Sequence, residues 1–146
     1  MKERVELVRA CDAIVDTYYS GVSEVEKLMQ LRRDLAVNYY YLTDHAKDIH
    51  GKAGLSYIGR KYAIAKEVVA ARDVDKRAAM DLCEARAETL NHSQEKRKEE
   101  VWAEASREAF KVKVDSIKQV LQSMQQEISH LSFEHRTTHF HTENSQ

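Results

Sequence analysis

The sequence contains no proline and only four glycines in 146 residues. Proline removes a helix hydrogen bond and clashes with the preceding turn, so its absence permits long uninterrupted helices. Alanine, glutamate, valine, lysine and arginine are the most frequent residues, and charged residues make up 32% of the chain. That composition is typical of coiled coils and extended bundles rather than thick globules. We therefore predict an all-α protein that forms a single helical domain over residues 1–135.

Cysteine, long apolar runs and net charge are also scarce. Cys11 and Cys83 lie far apart, without metal or redox spacing, which indicates reduced thiols and predicts a cytoplasmic protein. No run of about 18 apolar residues occurs, so we predict no membrane partner. The formal net charge of −1 provides no global attraction to nucleic acid or to anionic lipid.

The most regular pattern is a heptad seam in the C-terminal third of the chain. Apolar residues alternate there at spacings of four and three, with polar residues between them, which predicts a helix packed lengthwise on another helix. A second heptad series at 25–49 is its predicted partner. The predicted interaction seam consists of Phe110, Val114, Ile117, Leu121, Met124, Ile128 and Leu131 with Leu28, Leu35, Tyr39 and Leu42.

Glycines and capping residues divide the chain into predicted helices. Gly21, followed by the capping-box pair Ser23 and Glu26, predicts a break near 20–23. The segment 51–56 has two glycines and then a serine, which predicts a second turn. The run NHSQEKRKEE has almost no apolar residue, so a break near 91–94 is the alternative to one continuous final helix. The predicted helices are 2–20, 23–50, 57–72 and 75–133, followed by a flexible tail at 136–146.

These helices predict an elongated antiparallel helical hairpin or a three-to-four-helix bundle with coiled-coil character. A single helix pairing buries a thin core for a chain of 146 residues. Exposed heptad residues would otherwise form an adhesive stripe. We therefore predict a homo-oligomer that associates through 7–18 or through the C-terminal seam.

Catalytic and metal-binding patterns are sparse. One Glu-x-x-His motif, Glu127 to His130, occurs, whereas a di-metal bundle needs two copies plus two further glutamates. The chain has no glycine-rich nucleophile elbow and no phosphate loop. We therefore predict no enzymatic activity, no cofactor and no metal, and a metal-carboxylate bundle is the least favoured alternative.

The stretch 51–77 is basic and contains aromatic residues. Seven lysines and arginines face three acidic residues there, a local charge of about +4 when each side chain carries its usual charge at pH 7. Cations that follow a backbone, next to aromatic rings that stack on bases, are typical of single-strand nucleic-acid contact. The alternative is that the tyrosines pack between helices while the lysines face water. The candidate contacts are Lys52, Tyr57, Arg60, Lys61, Tyr62 and Lys66.

The order of these features resembles a known class of proteins. A helix bearing Tyr39-Tyr40-Tyr41-Leu42 precedes a Gly-Lys turn, a charged Ala-rich region and the terminal run VKVDSIKQVLQSMQQEISHL. Over residues 25–135 this resembles small phage and prophage coiled-coil proteins encoded near single-strand-annealing recombination genes. The resemblance implies a phage-derived, non-enzymatic accessory or inhibitor in the host cytoplasm, and it identifies no catalytic residue.

Two functions from different classes follow from these observations. The first is a helical protein-interaction module that acts as a scaffold, adaptor or inhibitor. The second is a single-stranded nucleic-acid-binding accessory of recombination or replication that uses 51–77. Salt dependence distinguishes them, because contacts to phosphates weaken steeply as ionic strength rises.

Overall fold

The computed structural model describes residues 3–143, with side chains over 3–138. Within that part the chain is all-α, as predicted, with four helices and no strand. The helices are α1 (Arg4–Tyr19), α2 (Val25–Val74), α3 (Met80–Thr89) and α4 (Asn91–Glu143).

The first junction is built around Gly21. The amide of Ser20 donates to the Asp16 carbonyl, and the amide of Gly21 donates to the Tyr18 carbonyl, which closes the last turn of α1. Gly21 then adopts a φ of 101°, a left-handed conformation that glycine adopts without a Cβ clash. The break predicted at 20–23 falls inside this interval between α1 and α2.

The turn predicted at 51–56 is not formed, and α2 is one helix of 50 residues. Gly51 and Gly54 keep ordinary helical backbone, and neither has a positive φ. An interior glycine costs a helix only about 1 kcal/mol relative to alanine, and no proline enforces a stop. Burial of Ile49 and Ala53 on either side of Gly51 offsets this cost. The predicted helices 23–50 and 57–72 are therefore corrected to a single α2.

In place of the continuous helix 75–133, the chain has two helices that meet at Leu90, one residue before the break at 91–94 that was the alternative prediction. Leu90 has an extended ψ of 143°, and α4 begins immediately after it. The tail predicted from 136 is also corrected, because α4 continues to Glu143. The hydroxyls of Thr137 and Thr138 donate to carbonyls of the preceding turn, and no glycine or proline intervenes. Residues 144–146 of the predicted tail lie outside the described residues.

The chain divides into two compact units. Unit 1 comprises Met1–His45 and Lys111–Gln146, and unit 2 comprises Ala46–Phe110. The long helices α2 and α4 contribute residues to both units.

Unit 1 has an apolar core supplied by α1, α2 and α4. The fully buried residues of α2 recur every seven positions, at Leu28, Leu35 and Leu42. Two polar contacts join α1 to α4: an ion pair between Asp12 and Lys113 and a 2.9 Å hydrogen bond from the Tyr18 hydroxyl to Glu127. The other buried residues of this core are Leu7, Cys11, Ile117, Val120 and Met124.

Unit 2 has a small apolar cluster between α2 and α3. Its buried members are Ile64 and Val68 of α2 with Cys83 and Ala87 of α3, and Ala78 packs against them. Charged side chains connect α2 to α4 on another part of the same unit, where Arg60 pairs with Glu100. Most other large apolar residues of unit 2 remain exposed.

Candidate interaction surface

The residues of the predicted seam in unit 1 pack inside the chain. Leu28, Leu35, Leu42, Ile117 and Met124 are buried. The remaining seam residues are half-buried, namely Tyr39, Phe110, Val114, Leu121, Ile128 and Leu131. Among them Phe110 belongs to unit 2. These side chains are largely used within one chain, so a surface for a partner has to be sought elsewhere.

An exposed apolar stripe runs along α2 in unit 2. Its large residues are Leu55, Ile58, Tyr62 and Val69, which are three, four and seven residues apart and so follow a heptad spacing. Ala65, which is also exposed, lies between Tyr62 and Val69. We call these four large residues the α2 stripe. The exposed fractions are 68% for Leu55, 61% for Ile58, 70% for Tyr62 and 61% for Val69.

The stripe is exposed because α2 uses its opposite face for packing. At about 100° per residue, Ala53, Ile64 and Val68 point to one side of the helix and the stripe points to the other. The packing residues are buried, and Arg60 on the same side is nearly so. The sequence assigned Leu55 to the turn predicted at 51–56, whereas in the structure Leu55 lies in α2 on the same face as Ile58 and Tyr62.

Positive charge flanks the stripe on both edges. Lys52 and Lys66 lie along one edge and Lys61 along the other, and all three are exposed. Between residues 51 and 70 the only acidic residue is Glu67, which is half-buried. The surface therefore combines an apolar centre with cationic borders.

The basic-aromatic candidates divide into an exposed set and one half-buried member. The side chains of Lys52, Lys61, Tyr62 and Lys66 are exposed, as is Tyr57. The Tyr57 ring has the Arg60 guanidinium 5.7 Å and the Lys61 ammonium 5.9 Å from its centre. Both distances lie within cation–π range. Arg60 itself is only 13% exposed in its side chain and pairs with Glu100.

Glu100 of α4 pairs with Arg60 on the packing side of α2, and only 7% of the Glu100 side chain is exposed. It accepts a hydrogen bond from Arg60 Nε and another, at 3.1 Å, from Arg97. Burial by itself raises the pKa of this carboxyl, but the two guanidiniums outweigh burial and hold the pKa below its usual 4.5. Sequence reasoning missed this group because Glu100 ends a run of ten polar residues that looked wholly solvated.

The residues considered for metal or thiol chemistry have other environments. Burial, followed by the hydrogen bond that the Tyr18 hydroxyl donates to Glu127, raises the pKa of Tyr18 to about 12. His130 lies 3.3 Å from Glu134. Over residues 3–138 no group of three or more His, Cys, Asp or Glu side chains could hold a metal ion. Burial, followed by the charge of Asp12, raises the pKa of Cys11 to about 11, which disfavours its thiolate.

Comparisons with protein families, with curated proteins and with solved structures find no match for this chain. In the part of the chain that the structure describes, no helix combines the length and apolarity needed to span a membrane.

Proposed function

We propose that this protein is a non-enzymatic helical interaction module, a scaffold, adaptor or inhibitor, whose α2 stripe binds an amphipathic helix with acidic flanks. The observation that carries this proposal is the exposure of four large apolar residues, each more than three-fifths exposed, at heptad spacing on one face. Helix-in-groove recognition uses anchors with this spacing. Exposed apolar stripes with polar borders mark sites of association rather than ordinary surface.

Burial of the stripe is large enough to support binding. Each large apolar side chain contributes about 1.5–3 kcal/mol when it moves from water into an apolar contact. Association costs part of that gain through lost translational and side-chain freedom. Together with the partner side chains that they contact, which are buried as well, these four anchors support binding with a dissociation constant on the order of micromolar.

The lysines favour a partner with acidic residues beside its apolar face. Residues that flank a heptad seam meet the flanking residues of the partner helix. A second copy docked through the same stripe would place lysines against lysines, which is unfavourable in either orientation. Glu or Asp at those positions would pair with Lys52, Lys61 and Lys66 instead.

The proposal includes the finer architecture of unit 1. The beginning of α2 and the last turns of α4 line one cavity, which supports an antiparallel hairpin of these two helices. The ion pair from Asp12 and the hydrogen bond from Tyr18 to α4 support α1 as the third helix of this bundle. Buried leucines at seven-residue spacing support coiled-coil character in this bundle. Homo-oligomerisation, a phage or prophage origin and a cytoplasmic location belong to the same proposal.

The test uses a synthetic amphipathic peptide of about three heptads, with leucine at the core positions and glutamate at the flanking positions. We expect micromolar binding in fluorescence anisotropy, and at least about tenfold weaker binding by Ile58→Asp or Val69→Asp, because each buries a charge in the contact. The same peptide with lysine at the flanking positions should bind at least about tenfold more weakly to the unmodified protein.

Val37→Asp is the matched control, because Val37 is an exposed valine of α2 that lies in unit 1. It should bind the acidic peptide as the unmodified protein does, with the same melting temperature as Val69→Asp. Equal binding of the acidic and basic peptides, or equal loss in Val37→Asp and Val69→Asp, would refute docking on the α2 stripe.

A second candidate function is single-stranded nucleic-acid binding in recombination or replication. It is supported by the exposure of Lys52, Tyr57, Lys61, Tyr62 and Lys66 along one stretch of α2. Binding of a labelled oligonucleotide should fall with salt and weaken in Lys61→Ala/Lys66→Ala. Because Arg60 is held by Glu100, it is excluded from the contact set that we propose. No binding at low salt would reject this candidate.

A further inference from the structure

A cavity of about 420 Å³ opens at the first turn of α4 in unit 2. It is lined by Arg60, Lys61 and Ile64 of α2, Glu88 of α3, and Ser93, Gln94 and Arg97 of α4. Neither the α2 stripe nor the proposed docking of a helix uses these residues, apart from Lys61 on the border of the stripe. The volume falls within the range of small-molecule pockets.

Ser93 is the unusual residue of this cavity. Only 2% of the residue is exposed, and its hydroxyl oxygen has no hydrogen-bond partner. A buried hydroxyl without a partner is unfavourable, because it gives up its bonds to water. The hydroxyl oxygen itself is buried, so a change of the Ser93 χ1 rotamer is needed to present the hydroxyl to a ligand oxygen in the cavity that Ser93 lines.

The backbone around Ser93 favours a negatively charged ligand. The chain breaks at Leu90, so α4 begins at the cavity, and the first amides of a helix lack carbonyl partners within the helix. The same end of the helix carries partial positive charge. Carbonyls at the end of α3 are already engaged, since Ala87 accepts from the Leu90 amide and Glu88 accepts from Gln94 Nε2 at 2.8 Å.

The side chains that line the cavity also carry net positive charge, like the first turn of α4. Arg60, Lys61 and Arg97 line the cavity against a single lining carboxylate, Glu88. Glu100 pairs with both arginines, yet Arg97 keeps 57% of its side chain exposed. A guanidinium has five N–H donors, so Arg97 has donors left for a ligand.

From these features we infer that the cavity is a binding site for the phosphate group of a small phosphorylated molecule. The phosphate oxygens accept from the Ser93 hydroxyl and the first amides of α4, and Lys61 and Arg97 balance their charge. The cavity is larger than a bare phosphate, so the remaining space accommodates the body of the molecule.

The experiment titrates the full-length protein with ribose 5-phosphate, with ribose, and with a single-stranded oligonucleotide that lacks terminal phosphates, using calorimetry. Ribose 5-phosphate should bind and ribose should not. Ser93→Ala should weaken binding about tenfold, and Lys61→Ala should weaken it several-fold. The matched controls are Ser106→Ala and Lys66→Ala, which alter exposed residues of α4 and α2 outside the cavity and should bind normally.

Ser93→Ala should fold at least as well as the unmodified protein, because it removes an unpartnered hydroxyl, so loss of binding is not a folding defect. Absence of ribose 5-phosphate binding at millimolar concentration would overturn the site. Equal effects of Ser93→Ala and Ser106→Ala would do the same. If the oligonucleotide alone bound in a Ser93-dependent manner, the phosphate source would be a nucleic-acid backbone, and the small-molecule assignment would be wrong.

Discussion

Replacing Glu100 with alanine should lower the free energy of unfolding by about 3–5 kcal/mol, the usual cost of breaking a buried ion pair. The carboxylate is 7% exposed and balances Arg60, whose side chain is 13% exposed. Without Glu100, the Arg60 guanidinium keeps its charge but loses its partner in a region with little water. Urea denaturation followed by circular dichroism measures the change.

The matched control is Glu99→Ala, because Glu99 is the neighbouring glutamate, has 60% of its side chain exposed and pairs with Lys96 on the surface. Exposed pairs of this type contribute about 0–1 kcal/mol. The double variant Arg60→Met/Glu100→Leu should recover most of the loss, since apolar groups of similar volume replace buried ion pairs at little cost. Equal stabilities of Glu99→Ala and Glu100→Ala would contradict the assignment of Glu100 as a buried partner.

The lowered pKa of Glu100 makes the contribution of this residue to the free energy of unfolding depend on pH. The folded protein holds this pKa below the usual 4.5, so the folded state binds the proton less readily than the unfolded state. The stabilisation is therefore fully present above about pH 4.5 and disappears as the pH falls through the lower folded-state pKa. Glu100→Gln should remove this part of the acid sensitivity, which urea titrations at several pH values detect.

The helical class and the core of unit 1 followed from local sequence signals. The absence of proline predicted long helices, and the heptad series assigned five residues to their packed faces. These residues are buried in the structure: Leu28, Leu35, Leu42, Ile117 and Met124. Such predictions succeed because periodicity within one helix decides which side chains share a face.

Features that depend on distant parts of the chain were not predictable in this way. Arg60 and Glu100 are 40 residues apart, and each lies among other charged residues, so nothing local distinguishes them from solvated neighbours. The glycine pair at 51 and 54 has the local signature of a turn, but cooperative helix formation on both sides overrides it. The cavity at the first turn of α4 forms where the break at Leu90 lies against α2, and this packing is likewise a tertiary property.

The two heptad series of α2 have the same period but different environments. In unit 1 the repeated leucines are fully buried, whereas in unit 2 the α2 stripe is more than three-fifths exposed. A hydrophobic pattern indicates that a helix face packs against a partner, but it does not indicate whether that partner belongs to the same chain. For this reason our proposed recognition surface is the α2 stripe and not the predicted interaction seam.

Leu35→Ala should lower the free energy of unfolding by about 2–5 kcal/mol, because it leaves a cavity in the core of unit 1. Leu35 is fully buried, with 0% exposure. The same substitution at Leu55, in the same helix but 68% exposed, should change stability by less than about 0.5 kcal/mol. Thermal and urea denaturation of the two variants side by side measure both values.

The pair of variants also separates packing from recognition. Leu55→Ala should weaken binding of the acidic peptide while it leaves the fold intact, because Leu55 anchors a surface that is free in the isolated protein. If Leu55→Ala instead destabilised the protein as much as Leu35→Ala, the stripe would already be covered in the free protein. That covering would have to be supplied by a second copy, so the loss would diminish on dilution, and the stripe would be a self-association surface rather than a docking site for an acidic helix.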